Sequence, residues 1–294
     1  MGQIEEYLNR RAEDINRALN FYMPKSPAMP VIEAMLYSAE AGGKRLRPIL
    51  TLATAETLEG DVEAVMPVAV AVEMIHTYSL IHDDLPSMDD SDLRRGRPSC
   101  HIAHGEAMAI LAGDGLLTLA FELVSGYGMA NGNPEKALII CRELARASGV
   151  EGMIGGQVLD LQAEGKKLEL HELEQLHALK TGALLTCSVR CGAIAADADD
   201  DCLQALTVYA SKLGLAFQIV DDLLDLSGTA ETLGKMPGDD RAHQKSTYPA
   251  LIGVEESQRK AEELYGDALQ ALDTLKKPAP LLEGLAGKLV FRDR

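Results

Sequence analysis

Carboxylates crowd the stretch HTYSLIHDDLPSMDDSDLRRGRP, residues 76 to 98, where Asp83, Asp84 and Asp89 are followed at once by Arg94, Arg95 and Arg97. Acids this close repel one another unless a cation lies among them, so the stretch is either a solvated loop or half of a metal site. A second group stands in QIVDDLLD, where Asp221, Asp222 and Asp225 continue a line of Ser211, Gly214 and Gln218 at spacings of three and four. On a helix that spacing puts three carboxylates and an amide on one strip, with small residues beneath where something must fit closely. Acids near a helix C-terminus also oppose the macrodipole, which favours a bound cation. With no Cys and little His alongside, the donors suit a hard ion such as Mg²⁺, which keeps waters and completes its shell with substrate phosphates. Guanidinium groups pair bidentately with phosphate, which gives Arg94, Arg95 and Arg97 a role. GGKRLRP offers a second basic cluster in Lys44, Arg45 and Arg47, although alone it reads as a solvated turn.

The elements that must carry these groups are helices. Apolar residues recur at three and four over 4–19, 31–41, 49–58, 62–81, 107–129, 134–147, 149–163, 170–195, 200–226, 255–275 and 281–290, with no convincing strand. Leu203, Leu206, Ala210, Leu213, Phe217, Val220 and Leu224 form the buried stripe of the helix that bears the second acidic group. His76, Ser79 and Asp83 share a face of the helix that begins near Val62, and Pro86 should end it and let the chain fold back toward Asp89. Breaks fall at Gly42-Gly43, Gly60-Asp61, Asn131-Gly132-Asn133-Pro134 and Lys277-Pro278. The longest irregular stretches, 86–103 and 227–247, each follow an acidic helix end and are candidate lids.

Composition agrees with an all-α fold in one large domain, 1–294. Hydrophobic residues make up 47% of the 294, aromatics only 4%, and there is no Trp. A net charge of -17 argues against nucleic acid or an anionic membrane surface as partner. Five cysteines without a CxxC pair read as reduced thiols of a cytoplasmic protein. The start MGQIEEYLNRR shows no signal region, and no uncharged apolar run reaches the roughly 18 residues of a membrane span, so no membrane insertion is expected.

DDLPSMD at 83–89 and DDLLD at 221–225, with GGKRLRP, GGQ at 155–157, KTG at 180–182 and KSTYP at 245–249, closely resemble the trans-isoprenyl diphosphate synthases over about residues 41 to 249. The four-residue spacer of the first motif is most similar to the bacterial-type farnesyl branch of that family. The resemblance implies a helical bundle around a central cavity, a homodimer, and two acidic motifs facing each other across the mouth. It implies three Mg²⁺ ions bridging Asp83, Asp84 and Asp89 on one wall, and Asp221 and Asp225 on the other, to an allylic diphosphate. Arg94, Lys180, Thr181, Lys235 and Lys245 match contacts to that diphosphate, and Gln218 a residue near the allylic end. Lys44, Arg47, His76 and Arg95 match the pocket for isopentenyl diphosphate. The implied reaction condenses isopentenyl diphosphate with dimethylallyl and then geranyl diphosphate, and a bulky Tyr78, five residues before the first motif, implies a C15 product. Helical facing alone would instead put Ser79 under Asp83.

Other readings are a synthase stopping at C10 or C20, and a silent regulatory subunit, which would have lost one acidic motif. His101 and His104 beside Cys100 lack further zinc ligands, and Cys187 and Cys191, one turn apart, read as packing.

Overall fold

The computed structural model of the chain describes residues 2–26, 29–227 and 246–291. Among these the protein forms fourteen α-helices, one π-helical turn and a two-stranded ribbon. The helices are α1 (Gln3–Tyr22), α2 (Pro30–Ala39), α3 (Leu46–Thr57), α4 (Val62–Asp83), α5 (Cys100–His104), α6 (Glu106–Ala130) and α7 (Pro134–Ser148). There follow α8 (Met153–Ala163), α9 (Leu170–His177), the π turn (Ala178–Gly182), α10 (Ala183–Ala195), α11 (Asp200–Ser227), α12 (Tyr248–Ile252), α13 (Val254–Asp273) and α14 (Pro280–Val290). The ribbon pairs β1 (Leu93–Arg94) with β2 (Arg97–Pro98), antiparallel, with Leu93 opposite Pro98 and Arg94 opposite Arg97.

Two helices carry the acidic motifs, and each is central for a reason visible in its sequence. α4 is apolar all round, so it has no face to give to water and is packed by α1, α2, α3, α6 and α10. Asp61 caps it, accepting from the amides of Glu63 at 3.0 Å and Ala64 at 3.2 Å. α11 packs against α10, α13, α14 and the π turn. One continuous hydrophobic core runs from Tyr7 to Val290, with α10 between the two motif helices. By length and composition α4, α6 and α11 are each apolar enough to cross a membrane, yet 72% of the apolar window of α4 is buried by its neighbours.

Three expectations require correction. The run 170–195 is not one helix, because the π turn at 178–182 interrupts it and shifts the facing of everything beyond. Gly156 makes room for that turn: a Cβ there would stand 2.2 Å from the Lys180 backbone nitrogen. The run 149–163 is helical only from Met153. The stretch after Pro86 is not irregular throughout, since it holds the ribbon and α5, elements too short for any periodicity to register. The second long stretch lies, but for its ends, outside the described residues.

Candidate active site

The first acidic motif is built by the end of α4. The helix stops at Asp83, and the chain turns back so that the Asp89 amide donates to the Asp83 carbonyl at 2.9 Å, as Pro86 led one to expect. Burial and the neighbouring charges of Asp89 and Asp84 push the Asp83 carboxyl up to about 6, against the pull of Lys180 and Arg94. Such a group is short of positive charge, and a hard cation beside it would relieve both burial and repulsion. Asp84 behaves differently. Its carboxylate is almost buried and is gripped by Arg94, whose Nε donates at 3.0 and 3.2 Å and whose Nη2 donates as well. Asp84 and Arg94, expected respectively on metal and phosphate, thus hold each other, because a buried carboxylate needs its nearest cation.

Next to this motif lies a basic pocket. Arg47 of α3 approaches Nε2 of His76 on α4 through Nη1 at 3.5 Å, and its own Nε is buried without a partner. Burial, reinforced by Arg47, Arg95, Arg94 and Arg45, holds His76 well below its ordinary range, so its ring is neutral there. Burial likewise holds Arg47 and Arg95 below their ordinary values. Arg45 is a strut rather than a ligand: it is buried and donates to Glu73 at 2.6 Å, to Asn16 Oδ1 at 2.9 Å and to the Ala39 carbonyl. Arg95 reaches the pocket from the ribbon turn, where it and Gly96 both have positive φ, and it donates to the Gly42 carbonyl. Gly43, at φ 114°, adopts a backbone conformation that L side chains rarely take and lies close under the Arg95 guanidinium, which would have to shift to admit a Cβ. Tyr37 fastens the other strand, donating to the Pro98 carbonyl at 2.7 Å with Arg97 over its ring. Lys44 is exposed at the same turn.

The second motif faces these groups. Asp221 on α11 acts on the charge of Arg47, and Lys180 on the π turn acts on Asp83. Lys180 is held by Asp160 of α8, Nζ to Oδ2, at 2.6 Å. Thr181 donates to Gln218 Oε1 at 3.1 Å. Asp160, His177, Lys180, Thr181, Gln218 and Asp222 line one cleft of about 120 Å³. The close fit beneath the acidic strip is made with the π turn, since a Cβ on Gly214 would stand 3.3 Å from the Gly182 Cα. Asp221 and Asp225 are partly exposed, but Asp222 is buried, so the three acids do not share one strip.

Tyr78 is buried, its hydroxyl has no hydrogen-bond partner, and its ring meets His82 edge-on at 5.8 Å. Ser79 donates to its own helix at the His76 carbonyl, 2.9 Å away. Lys235 and Lys245 lie outside the described residues. Sequence reasoning passed over Asp160, Glu73 and Asn16. An acid in the middle of the apolar run 62–81, ten residues past the Glu63 of its first turn, was the available signal for Glu73, whereas nothing local marked Asp160 as the partner of Lys180.

Among the described residues no three carboxylate, His or Cys side chains converge tightly enough to hold an ion alone. The carboxylates of Asp83, Asp89, Asp221 and Asp225 are oxygen donors of the kind a hard ion such as Mg²⁺ takes one or two at a time, with water and phosphate filling the rest of its shell. The arrangement sets a basic pocket suited to an anion beside carboxylates suited to a hard cation.

The chain has relatives among known proteins. The Polyprenyl synthetase family model matches residues 30–279. The chain is similar to farnesyl diphosphate synthase of Escherichia coli, 47% identical over 98% of this chain and 99% of that protein. It is also similar to farnesyl diphosphate synthase of Geobacillus stearothermophilus, 50% identical over 85% of each. Its fold is similar to the crystal structure of an FPP/GFPP synthase from Zymomonas mobilis, with a TM-score of 0.87, 38% identity and 98% of both chains covered. With more than four-fifths of its length matched, and with its acidic and basic groups gathered at the ends of α4 and α11, the chain belongs to the polyprenyl synthetase family.

Proposed function

We propose that the protein is a Mg²⁺-dependent trans-prenyltransferase that joins isopentenyl diphosphate head-to-tail to dimethylallyl and then geranyl diphosphate, releasing diphosphate and ending at farnesyl diphosphate. The observation that carries this reading is the pairing of a half-buried, under-neutralised Asp83 with a basic pocket of Arg47, Arg95 and neutral His76, across from Asp221. The names of the relatives at 47% and 50% identity support the C15 product.

In this reading Asp83, Asp84 and Asp89, with Asp221 and Asp225 opposite, would hold three Mg²⁺ ions, Asp84 needing release from Arg94 to do so. Bound there, the metal neutralises charge growing on the departing diphosphate. Lys180 and Thr181 hold the same leaving group from the π turn, with Lys235 and Lys245 as further cations, while Gln218 lies near the allylic end. Arg47, Arg95, His76 and Lys44 hold isopentenyl diphosphate so that its double bond points at the allylic carbon. His76 stays neutral, so the pocket binds anion through guanidinium charge and not through a protonated ring. No described side chain is placed as a base for the final proton, which passes to the released diphosphate. Apolar walls exclude the water that would otherwise trap the allylic cation.

Tyr78, packed under the first motif, closes the tail's path at C15 in this proposal. The chain works as a single domain, 1–294, in a homodimer, and exposed apolar residues on α6, α7 and α8, among them Leu111, Leu138 and Val158, supply a face for the second copy. Five unbonded cysteines suit a cytoplasmic enzyme.

The reading is tested by substituting either motif. Asp83→Ala or Asp221→Ala should lose several orders of magnitude in turnover of isopentenyl plus geranyl diphosphate while keeping the wild-type helical circular dichroism. Near-wild-type turnover in either variant would remove the metal assignment.

A further inference from the structure

One acid of the second motif does something other than its neighbours. Asp221 and Asp225, four residues apart, share a partly exposed face, whereas Asp222 is turned about 100° from Asp221 and is 5% exposed. Both of its oxygens accept hydrogen bonds from the protein. Oδ1 accepts from Gln218 Nε2 at 3.2 Å, and Oδ2 accepts from the backbone amide of Tyr248, the first residue of α12, at 3.0 Å. Gln218 in turn accepts from the Thr181 hydroxyl at 3.1 Å. A line of hydrogen bonds thus joins the π turn, α11 and α12, and Asp222 is where the two donors meet.

We propose that Asp222 is a positioning residue and not a metal ligand: it is the hub that sets Gln218 and Thr181 against the start of α12, and through Thr181 fixes the π turn that presents Lys180. The inference deepens the prenyltransferase reading and rests on it. Two physical points favour the hub. The Tyr248 amide sits in the first turn of its helix, where the fold offers no intrahelical acceptor, and a buried amide left without one is costly. The π turn is also gripped from its other side, where Asp160 holds Lys180 and the bare Gly156 lets α8 approach, so Thr181–Gln218–Asp222 supplies the second fixed point.

The hub makes a prediction that a metal ligand does not. A carboxylate is acceptor-only, but an Asn at this position keeps one carbonyl oxygen for the Tyr248 amide and gains an N–H. That N–H can donate to Gln218 if the Gln amide turns over, and Gln218 Nε2 then donates to the Thr181 hydroxyl, which accepts as readily as it donates. The line survives with its direction reversed. Alanine leaves both donors stranded. At a Mg²⁺ ligand the same Asn substitution removes the anionic oxygen the ion requires.

The full-length protein and the variants Asp222→Asn, Asp222→Ala and Asp221→Asn would be compared in three readouts: Mn²⁺ binding followed by electron paramagnetic resonance with inorganic diphosphate, the KM for geranyl against isopentenyl diphosphate, and Tm. Asp222→Asn should bind Mn²⁺ with wild-type stoichiometry and hold both KM values, while Asp221→Asn weakens Mn²⁺ roughly tenfold or more. Asp222→Ala should keep the Mn²⁺ stoichiometry but raise the KM for geranyl diphosphate about tenfold, with a smaller change for isopentenyl diphosphate. Loss of Mn²⁺ binding in Asp222→Asn matching that in Asp221→Asn would overturn the proposal, as would kinetic damage in Asn equal to that in Ala. Should the wild-type protein make no prenyl product, the functional reading alone falls, and Tm decides the hub: a lower Tm for Ala than for Asn supports it, and equal values overturn it.

Discussion

At the scale of single residues, the site separates groups by what their surroundings let them do. Arg45 and Arg47 are two positions apart, yet one is consumed by Glu73 and Asn16 and the other keeps a buried Nε with no partner beside a neutral His76. Only the second can take a ligand without first breaking a buried ion pair. Arg47→Ala should raise the KM for isopentenyl diphosphate about ten- to a hundredfold, as the loss of one charge-assisted contact implies, and change that for geranyl diphosphate far less. Steady-state kinetics with each substrate varied in turn checks this, and equal weakening would show that the two pockets are exchanged. Most of these side chains were legible in the sequence because their chemistry is written in their types: DDLPSMD and DDLLD are dense carboxylate clusters, and GGKRLRP is a turn rich in positive charge. What was not legible is which member of each group is structural. Asp222 and Arg45 look like their neighbours on the page, and only burial and partners distinguish them.

Among elements, the decisive one is the π turn between α9 and α10. It faces Asp160 with Lys180 and Gln218 with Thr181, two neighbours in sequence aimed at two different helices. No hydrophobic pattern reveals it, since a single inserted residue alters facing without changing which residues are apolar. The KTG motif marked the place without its geometry. Gly156→Ala tests how closely the turn is fitted, because its Cβ would fall 2.2 Å from one Lys180 backbone atom and 2.5 Å from another. Backbone cannot yield as a side-chain tip does, so the variant should lose about 1–3 kcal/mol of unfolding free energy in urea, along with much of its turnover. Wild-type stability would show that α8 and the turn can part without cost. Helix bounds, by contrast, were read well wherever a cap or proline set them: Asp61 before α4 and Pro134 at the head of α7 both stand where expected.

Over the whole molecule, all-helical class followed from a low aromatic fraction and unbroken three-four spacing, and the core bears that out. The same burial has a pH consequence. His177 is packed against Tyr248, ring centres 5.6 Å apart, and burial lowers its pKa to about 4. Between that value and the unfolded value of about 6.5 the unfolded chain binds the extra proton, so stability rises with pH across this window and is lost as pH falls through it. The full effect is about 3 kcal/mol for 2.5 units. His177→Gln, which cannot take the proton, should flatten the dependence of urea stability on pH between 4 and 6.5; an unaltered slope would mean that His177 is charged in the folded protein.

The central claim concerns what the site makes, and product length tests it most directly. The purified protein, with Mg²⁺ and radiolabelled isopentenyl diphosphate, is given a C5 or a C10 allylic diphosphate in separate reactions, and the dephosphorylated products are separated by chain length. A C15 end product from both primers is the predicted result. An end product of C10 or C20 would contradict the C15 assignment and the role given to Tyr78, and no product from either primer would contradict the prenyltransferase reading altogether.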